Sequence, residues 1–279
     1  MQQNRKVIFV GAGPGNPELL TVKAVNALRK AEVVIVDRLV SEEIITGYTS
    51  YAAQIITVGK QGGSNLSFAQ KEINELLVSK AQNYNHVVRL KGGDVSIFSN
   101  ILDELLALNK ASISYEIIPG ITALSGAAAY TGVPLTAREY ATGVRILTFY
   151  KNTIISDNEW KDLANMKDTL VFYMSGASLP HVVTQLLKYG ADATIPFLVV
   201  EQATTPNQCV HSYTLQQFTA SEPINFISPS LVIIGKVAGL YNQFAWLPNN
   251  NERIPYFLPL DTLTELFNEI KNGHNVSRA

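Results

Sequence analysis

The chain has 279 residues, 47% of them apolar and 16% charged, with a formal net charge of −1. That is long enough for one large or two ordinary domains, each with its own core, and the near-neutral balance leaves no electrostatic footprint for a nucleic-acid partner. The single cysteine, Cys209, excludes an intrachain disulfide framework and a thiolate metal cluster, and it fits a reducing cytoplasm. In its strand-like run it reads as a small buried hydrophobe. No apolar run approaches the ~18 residues of a membrane span, and the run at the N-terminus is too short for a signal peptide and breaks at glycine. A soluble, cytoplasmic protein is expected, with no membrane and no nucleic-acid partner.

In chain order, short β-rich runs alternate with segments of helical spacing. "KVIFVG", "EVVIVD", "QIITVG", "HVVRLKG" and "YEIIPG" are interleaved with "PELLTVKAVNALRK" and "FAQKEINELLVSKAQ", whose apolar residues recur every three or four positions. This alternation predicts a mostly parallel sheet with helices on both faces. Ligands of such sheets lie at the carboxyl ends of the strands, which are Gly11 to Gly15, Asp37 and Arg38, Gly59 and Lys60, Gly92 to Asp94, and Pro119 to Thr122. A small-residue helix, "ITALSGAAAY", then leads into the linker-like "TGVPLTAREYATG". Five further runs follow: "VRILTFY", "DTLVFYM", "IPFLVVEQ", "QCVHSYTL" and "SPSLVIIGKV". The polar turn Thr204-Thr205-Pro206-Asn207 predicts antiparallel pairing of the two runs it joins. The expected organisation is an N-terminal α/β domain at 1–120, a connecting helix and linker at 121–143, a mixed-sheet α/β domain at 144–246 and a C-terminal extension at 247–279. The ligand is expected in a cleft between the domains.

The first glycine loop, "VIFVGAGPGNPELL", follows a strand and precedes a helix, as a dinucleotide fingerprint would. The third glycine place of that fingerprint is Asn16, however, and Pro14 removes an amide that a phosphate cradle would use. The loop suits close backbone approach of something uncharged, or it is simply a tight strand-to-helix turn. Asp37 invites three readings: a ribose ligand, a general base, or one half of a surface ion pair with Arg38. Capping of the "SEEIITGY" helix is better assigned to Ser41. Lys60 would ordinarily be solvated, but its place at a strand end beside Gly59, Gly62 and Gly63 marks it out. Thr122 stands at a helix N-terminus, where it can bond a ligand or its own backbone. His86, His181, His211 and His274 show no ligand spacing, so no metal is expected. Neither a nucleophile elbow nor a P-loop is present.

Taken together, "VGAGPGNPELLTVKA", "AEVVIVDRLVSEEI", "VGKQGG", "EINELLV", "VVRLKGGDVSIF", "PGITALSGAAAYTGVPLT", "TLVFYM" and "SPSLVIIGKVAGL" resemble, in order, the uroporphyrinogen-III C-methyltransferases over about residues 6 to 246. The resemblance implies the two-domain tetrapyrrole methylase fold and a homodimer. It also implies an enzyme that uses S-adenosylmethionine to methylate uroporphyrinogen III to precorrin-2, for siroheme or corrinoid synthesis, releasing S-adenosylhomocysteine. By the same resemblance Pro14, Gly92, Gly93, Asp94, Ile97, Thr122, Ala123, Met174 and Ala203 contact the cofactor. Ala203 stands where the family usually has glycine. Asp37 matches the family's proton acceptor and Lys60 its proton donor. Arg38, Lys91, Asn100 and Arg138 fall on the substrate side, with Arg145 and Lys151 as further cations for the acetate and propionate arms.

Where the family reads G-G-D-P-F-I-F-G-R-G-G-E-E, this chain runs from Gly92 to Glu104 with Asn100 in place of the arginine and Ser99, Ile101 and Leu102 in place of glycines. Gln61 replaces another arginine, Thr148, Phe149 and Tyr150 replace T-G-H, and Ala137 replaces the histidine of L-T-H-R-D-Y. Two alternatives therefore stand beside the main reading: a methylase for another tetrapyrrole, and a catalytically silent cofactor-binding homologue.

Overall fold

The computed structural model describes residues 5–59, 69–149 and 154–271. Contacts divide the chain into two compact units, residues 1–122 with 257–279, and residues 123–256. In the first unit β1 (Lys6–Gly11), β2 (Val33–Asp37), β3 (Gln54–Val58), β4 (His86–Lys91) and β5 (Ser114–Ile118) form an all-parallel sheet ordered β3-β2-β4-β1-β5. The runs are continuously apolar rather than alternating because both faces are covered. One face carries α1 (Val22–Arg29) and α2 (Glu42–Tyr48), whose Ala24, Leu28, Ile44 and Ile45 pack on Ile8, Val10, Val34 and Val88. The other carries α3 (Gln70–Asn83) and α4 (Ile101–Lys110), whose Ile73, Leu77 and Leu108 pack on Val7, Phe9, Ile35 and Val87. Local signals set the helix starts: Thr21 accepts the Ala24 N–H at 3.2 Å, and Glu72 of α3 reaches back to the Ala69 N–H at 2.7 Å.

The second unit opens on α5 (Ala123–Thr131). Its sheet is β6 (Val144–Thr148), β7 (Thr169–Tyr173), β8 (Pro196–Glu201), β9 (Cys209–Thr214) and β10 (Ser230–Ile234), in the order β6-β7-β10-β8-β9. Only β6 and β7 are parallel; β8 and β9 pair antiparallel across the Thr-Thr-Pro-Asn turn. The helices α6 (Asp157–Ala164), α7 (Leu179–Lys188) and α8 (Leu215–Thr219) cover one face, with Trp160, Val182, Val183 and Leu215 against Phe172, Phe197, Val199 and Val232. Residues expected to form a connection supply the other face: Leu124, Ala127, Val133 and Ala141 pack on Val171, Leu198, Val200 and Ile233. Beyond the short α9 (Tyr241–Phe244), the amphipathic α10 (Leu260–Lys271) returns to the first unit and buries Leu263 and Phe267 in the layer containing α1 and α2. Among the described residues no helix is long and apolar enough to cross a membrane.

Candidate active site

In the first unit β1 connects toward β2 while β4 connects across β1 to β5, so the adjacent β1 and β4 are the strands whose connections diverge. Such a switch point leaves a crevice at the carboxyl ends, the default ligand position in a doubly wound sheet. Two glycine loops meet there. Gly13 donates to the Gly93 carbonyl at 3.1 Å and Gly93 to that of Gly13 at 2.8 Å, and Ala12 donates to the Lys91 carbonyl at 2.8 Å. Gly93 holds φ +69°, the left-handed region that favours glycine. Gly120, after β5, has no room for a side chain: a Cβ would lie 2.4 Å from the Gly93 oxygen and 2.7 Å from the Gly11 carbonyl carbon. Three backbones therefore close on one another without side chains between them. Pro14 is buried in this cradle, and Asn16 caps the short 3-10 turn at 17–19 by accepting the Glu18 N–H at 2.8 Å. Asn16 thus takes a capping role where a dinucleotide loop would place a glycine.

Asp94 ties the cradle together. Its Oδ1 accepts the Ser96 amide at 2.8 Å and the Ser96 hydroxyl, and its Oδ2 accepts the Gly120 amide at 2.9 Å. Burial alone would raise its pKa, but the Ser96 and Gly120 hydrogen bonds hold the carboxyl below the usual aspartate range. Asp94→Asn puts an NH2 against one of these N–H donors. A loss of about 1–3 kcal/mol in denaturant unfolding is expected. Because the folded value is depressed, the contribution is present above the ordinary aspartate value of 3.8 and disappears as the pH falls below it. An unchanged midpoint at neutral pH would show the carboxylate to be idle.

Beside the cradle lies a buried charge network. Arg89 projects from the middle of β4 on the face shared by Val87 and Ile35, and is 1% exposed. It donates to Asp37 Oδ1 at 2.5 Å, to Glu104 Oε1 at 3.0 Å and to the Ile35 and Leu90 carbonyls at 3.3 Å. Lys91, two residues on and facing the same way, bonds the same Glu104 oxygen at 3.0 Å and lies 3.8 Å from Asp37 Oδ2. Glu104 is fully buried in the apolar stripe of α4, and its Oε2 has no hydrogen-bond partner among the described residues. Burial would strip Arg89 of charge, yet Asp37 and Glu104 hold it charged and push its pKa up. Burial, with Arg89 alongside, pushes the Lys91 ammonium down. The outcome for Asp37 is a carboxylate at the tip of β2, half-buried and oriented by two cations from below.

Of the other candidates in this unit, Ile97 and Thr122 are half-buried, as is Arg38, where burial lowers the guanidinium pKa. Arg38 does not pair with Asp37; among the described residues the ion-pair partners of Asp37 are Arg89 and Lys91. Asn100 is exposed at the N-cap of α4 with φ +54°, a left-handed conformation that asparagine tolerates better than most side chains. Lys60, Gln61, Tyr150 and Lys151 lie outside the described residues. Neither Arg89 nor Glu104 was singled out by motif, although an arginine inside an otherwise apolar buried strand is itself a signal that a partner awaits it.

In the second unit Ala123 begins α5, whose next amide, Leu124 N–H, donates to the Tyr173 hydroxyl at 2.9 Å. Met174 follows at the end of β7 with φ +56° and stands 53% exposed, a strained backbone presenting a large apolar side chain to solvent. Ala203 is buried at a φ outside the left-handed region, so alanine fits there without strain, while its neighbours Gln202 and Thr204 carry the positive φ values of 50° and 71°. The fixed Gln202 is held by its amide to Pro229 O at 2.7 Å and by its side chain to the Asn207 and Ile254 carbonyls. Arg138 is exposed in the turn closed by the Ala137–Ala141 bridge.

An open parallel sheet with a glycine cradle at its switch point and a mixed second sheet define a two-unit α/β class, and residues 6–219 match the model of the tetrapyrrole (corrin/porphyrin) methylases. The chain belongs to that family. It is 42% identical over 245 residues to siroheme synthase 3 of Aeromonas hydrophila, a match covering 88% of this chain and 52% of that protein. Identity to siroheme synthase of Escherichia coli is also 42%, over 88% of this chain and 53% of the relative. The chain thus spans about half the length of these curated relatives. Among solved structures, uroporphyrin-III C-methyl transferase of Thermus thermophilus, crystallised with S-adenosylhomocysteine, matches at a TM-score of 0.71 and 33% identity, over 84% of this chain and 99% of that one. A cobalt-precorrin-4 methyltransferase of cobalamin biosynthesis matches at 0.73 and 25%, over 84% and 96%.

Proposed function

We propose that this chain is an S-adenosylmethionine-dependent C-methyltransferase that converts uroporphyrinogen III to precorrin-2 for siroheme or corrinoid synthesis. The observation that carries the reading is the glycine-walled cradle at the β1/β4 switch point beside a carboxylate fixed on a buried cation pair. Backbone packed too tightly for any Cβ, and a buried proline in place of a phosphate-binding amide, fit a cofactor without phosphates. Pro14, Gly92, Gly93, Asp94, Ile97 and Thr122 in the first unit, and Ala123, Met174 and Ala203 in the second, would hold it. When bound, the sulfonium supplies an electrophilic methyl group.

A carbon nucleophile that gains a methyl group must afterwards lose a proton. Asp37 is the acceptor in this proposal: Arg89 engages one oxygen, leaving the carboxylate half-exposed at the strand end. Lys60 is the proton donor, and Lys91, expected by resemblance on the substrate side but 3% exposed and bonded to Glu104, is in this proposal the cation that, with Arg89, sets the position of Asp37. Arg38, Asn100 and Arg138 face the substrate's carboxylate arms. The reaction takes place in the cytoplasm and in a homodimer.

The test is incubation with labelled S-adenosylmethionine and enzymatically generated uroporphyrinogen III, with dimethylated product as the expected result. Cofactor binding without methylated tetrapyrrole would overturn the substrate assignment. A second reading, a less anionic tetrapyrrole as substrate, is favoured by Asn100, exposed and uncharged where the family has arginine. Methylation of a precorrin ester or a later corrinoid, in place of uroporphyrinogen III, would establish it.

A further inference from the structure

At the β8–β9 edge of the second sheet lies a cluster that the methylation proposal does not use. Glu201 ends β8 directly opposite Cys209 at the start of β9, and His211 follows two residues along. Alternation places Cys209 and His211 on one face of β9, and Glu201, directly opposite Cys209 and diagonal to His211, on the same face of β8. Cys209 Sγ lies 3.6 Å from His211 Nε2, Glu201 Oε2 lies 3.4 Å from that same nitrogen, and the three ligand atoms are all within 4.8 Å of one another. Glu201 is fully buried. Its Oε1 is taken by the Ile227 amide at 2.7 Å and by Arg253 at 3.1 Å. Its Oε2 faces His211 Nε2 at 3.4 Å as an ion pair and makes no hydrogen bond of good geometry among the described residues.

The geometry points to a three-ligand site for one divalent, borderline-soft cation, zinc first, formed by Glu201 Oε2, Cys209 Sγ and His211 Nε2 with the fourth position open. A tetrahedral zinc with Zn–S of about 2.3 Å and Zn–N and Zn–O of about 2.0–2.1 Å needs separations of roughly 3.3–3.6 Å between its ligand atoms; the sulfur–nitrogen and nitrogen–oxygen edges lie in that range, and the sulfur–oxygen edge, within 4.8 Å, closes by a small side-chain rotation on binding. A nucleophilic cysteine triad would place the carboxylate on the imidazole nitrogen away from the sulfur. Here sulfur and oxygen converge on one nitrogen, which suits a shared cation. Binding of the cation replaces the Cys209 S–H bond by a metal–sulfur bond and releases the proton to solvent. Arg253 and the Ile227 amide supply the outer hydrogen bonds that hold a carboxylate ligand to one oxygen. Sulfur and imidazole disfavour magnesium and calcium. His211 is partly exposed, with 17% of its side chain accessible; next to it Phe226, whose ring centroid is 5.3 Å from that of His211, lines a cavity of about 440 Å³ with Asn225 and Phe218.

The experiment is titration of the tag-free, chelator-stripped chain with Co2+ as a spectroscopic substitute, followed by Zn2+. One equivalent is expected, giving a thiolate-to-cobalt charge-transfer band and d–d bands of tetrahedral intensity, both abolished by one equivalent of Zn2+. Cys209→Ser should lose the charge-transfer band, and His211→Gln, at a partly exposed position, should weaken Co2+ binding at least tenfold. Zinc at about a hundredfold excess over its Kd should raise the melting temperature by roughly 5–10 °C in the unsubstituted chain and not in His211→Gln. Absence of the charge-transfer band, or a band and a stabilisation that persist in both variants, would overturn the site.

Discussion

Replacing Arg89 by methionine is expected to destabilise the first unit by about 3–5 kcal/mol. The side chain is 2% exposed and holds two carboxylates at once, Asp37 at 2.5 Å and Glu104 at 3.0 Å. Methionine fills much of the volume but leaves Glu104, fully buried, with Lys91 as its remaining cation among the described residues and one oxygen already unbonded. The cost is that of an uncompensated buried charge, not of a lost surface pair. The double variant Arg89→Met with Glu104→Leu removes both charges and leaves Asp37 facing Lys91, so it should recover a substantial part of the loss, a coupling of about 1–3 kcal/mol. Denaturant unfolding of the two single variants and the double variant measures this. A loss below about 1 kcal/mol for Arg89→Met, or strictly additive effects, would mean that the network contributes little.

The second large effect concerns turnover. Asp37→Ala is expected to lower methyl transfer by about 10²–10⁴-fold, the range for removing a positioned general base, with a change in S-adenosylmethionine affinity of less than threefold. Asp37→Asn makes the sharper test. The amide oxygen can still accept from Arg89, so β2 and β4 keep their link at the strand ends, but the group no longer takes a proton. If the asparagine variant is as impaired as the alanine variant, the carboxylate acts chemically. If turnover stays within tenfold of the parent, Asp37 only anchors Arg89 and Lys91, and the base lies elsewhere. Equal losses in cofactor affinity and turnover would place Asp37 in the binding wall instead.

How much of this was legible before the structure depends on the range of each interaction. The cradle was largely legible: Gly11, Gly92, Gly93 and Gly120 stand at the ends of β-rich runs, and the order of runs and helices already implies that those ends share one edge of the sheet. Asp37 was visible for the same reason. Its partners were not. Arg89 lies 52 residues from Asp37 and 15 from Glu104, and no local pattern states that β4 inserts between β1 and β2, which is what brings them together. The pairing of Asp37 with Arg38, suggested by adjacency, gives way to that cross-strand pairing: β2 ends at Asp37, and Arg38 already lies in the turn that follows it.

The chain by itself determined the two sets of strands, the helices α1, α2, α3 and α5 and the antiparallel turn at 204–207, because each follows from hydrophobic period, glycine, proline or capping chemistry within a few residues. Tertiary structure alone decided three things: that α10 closes a face of the first unit with Leu263 and Phe267, that Asp37 rests on Arg89 and Lys91, and that Glu201, Cys209 and His211 converge. All three depend on strand order and register, set by packing of the whole core rather than by any local stretch of sequence.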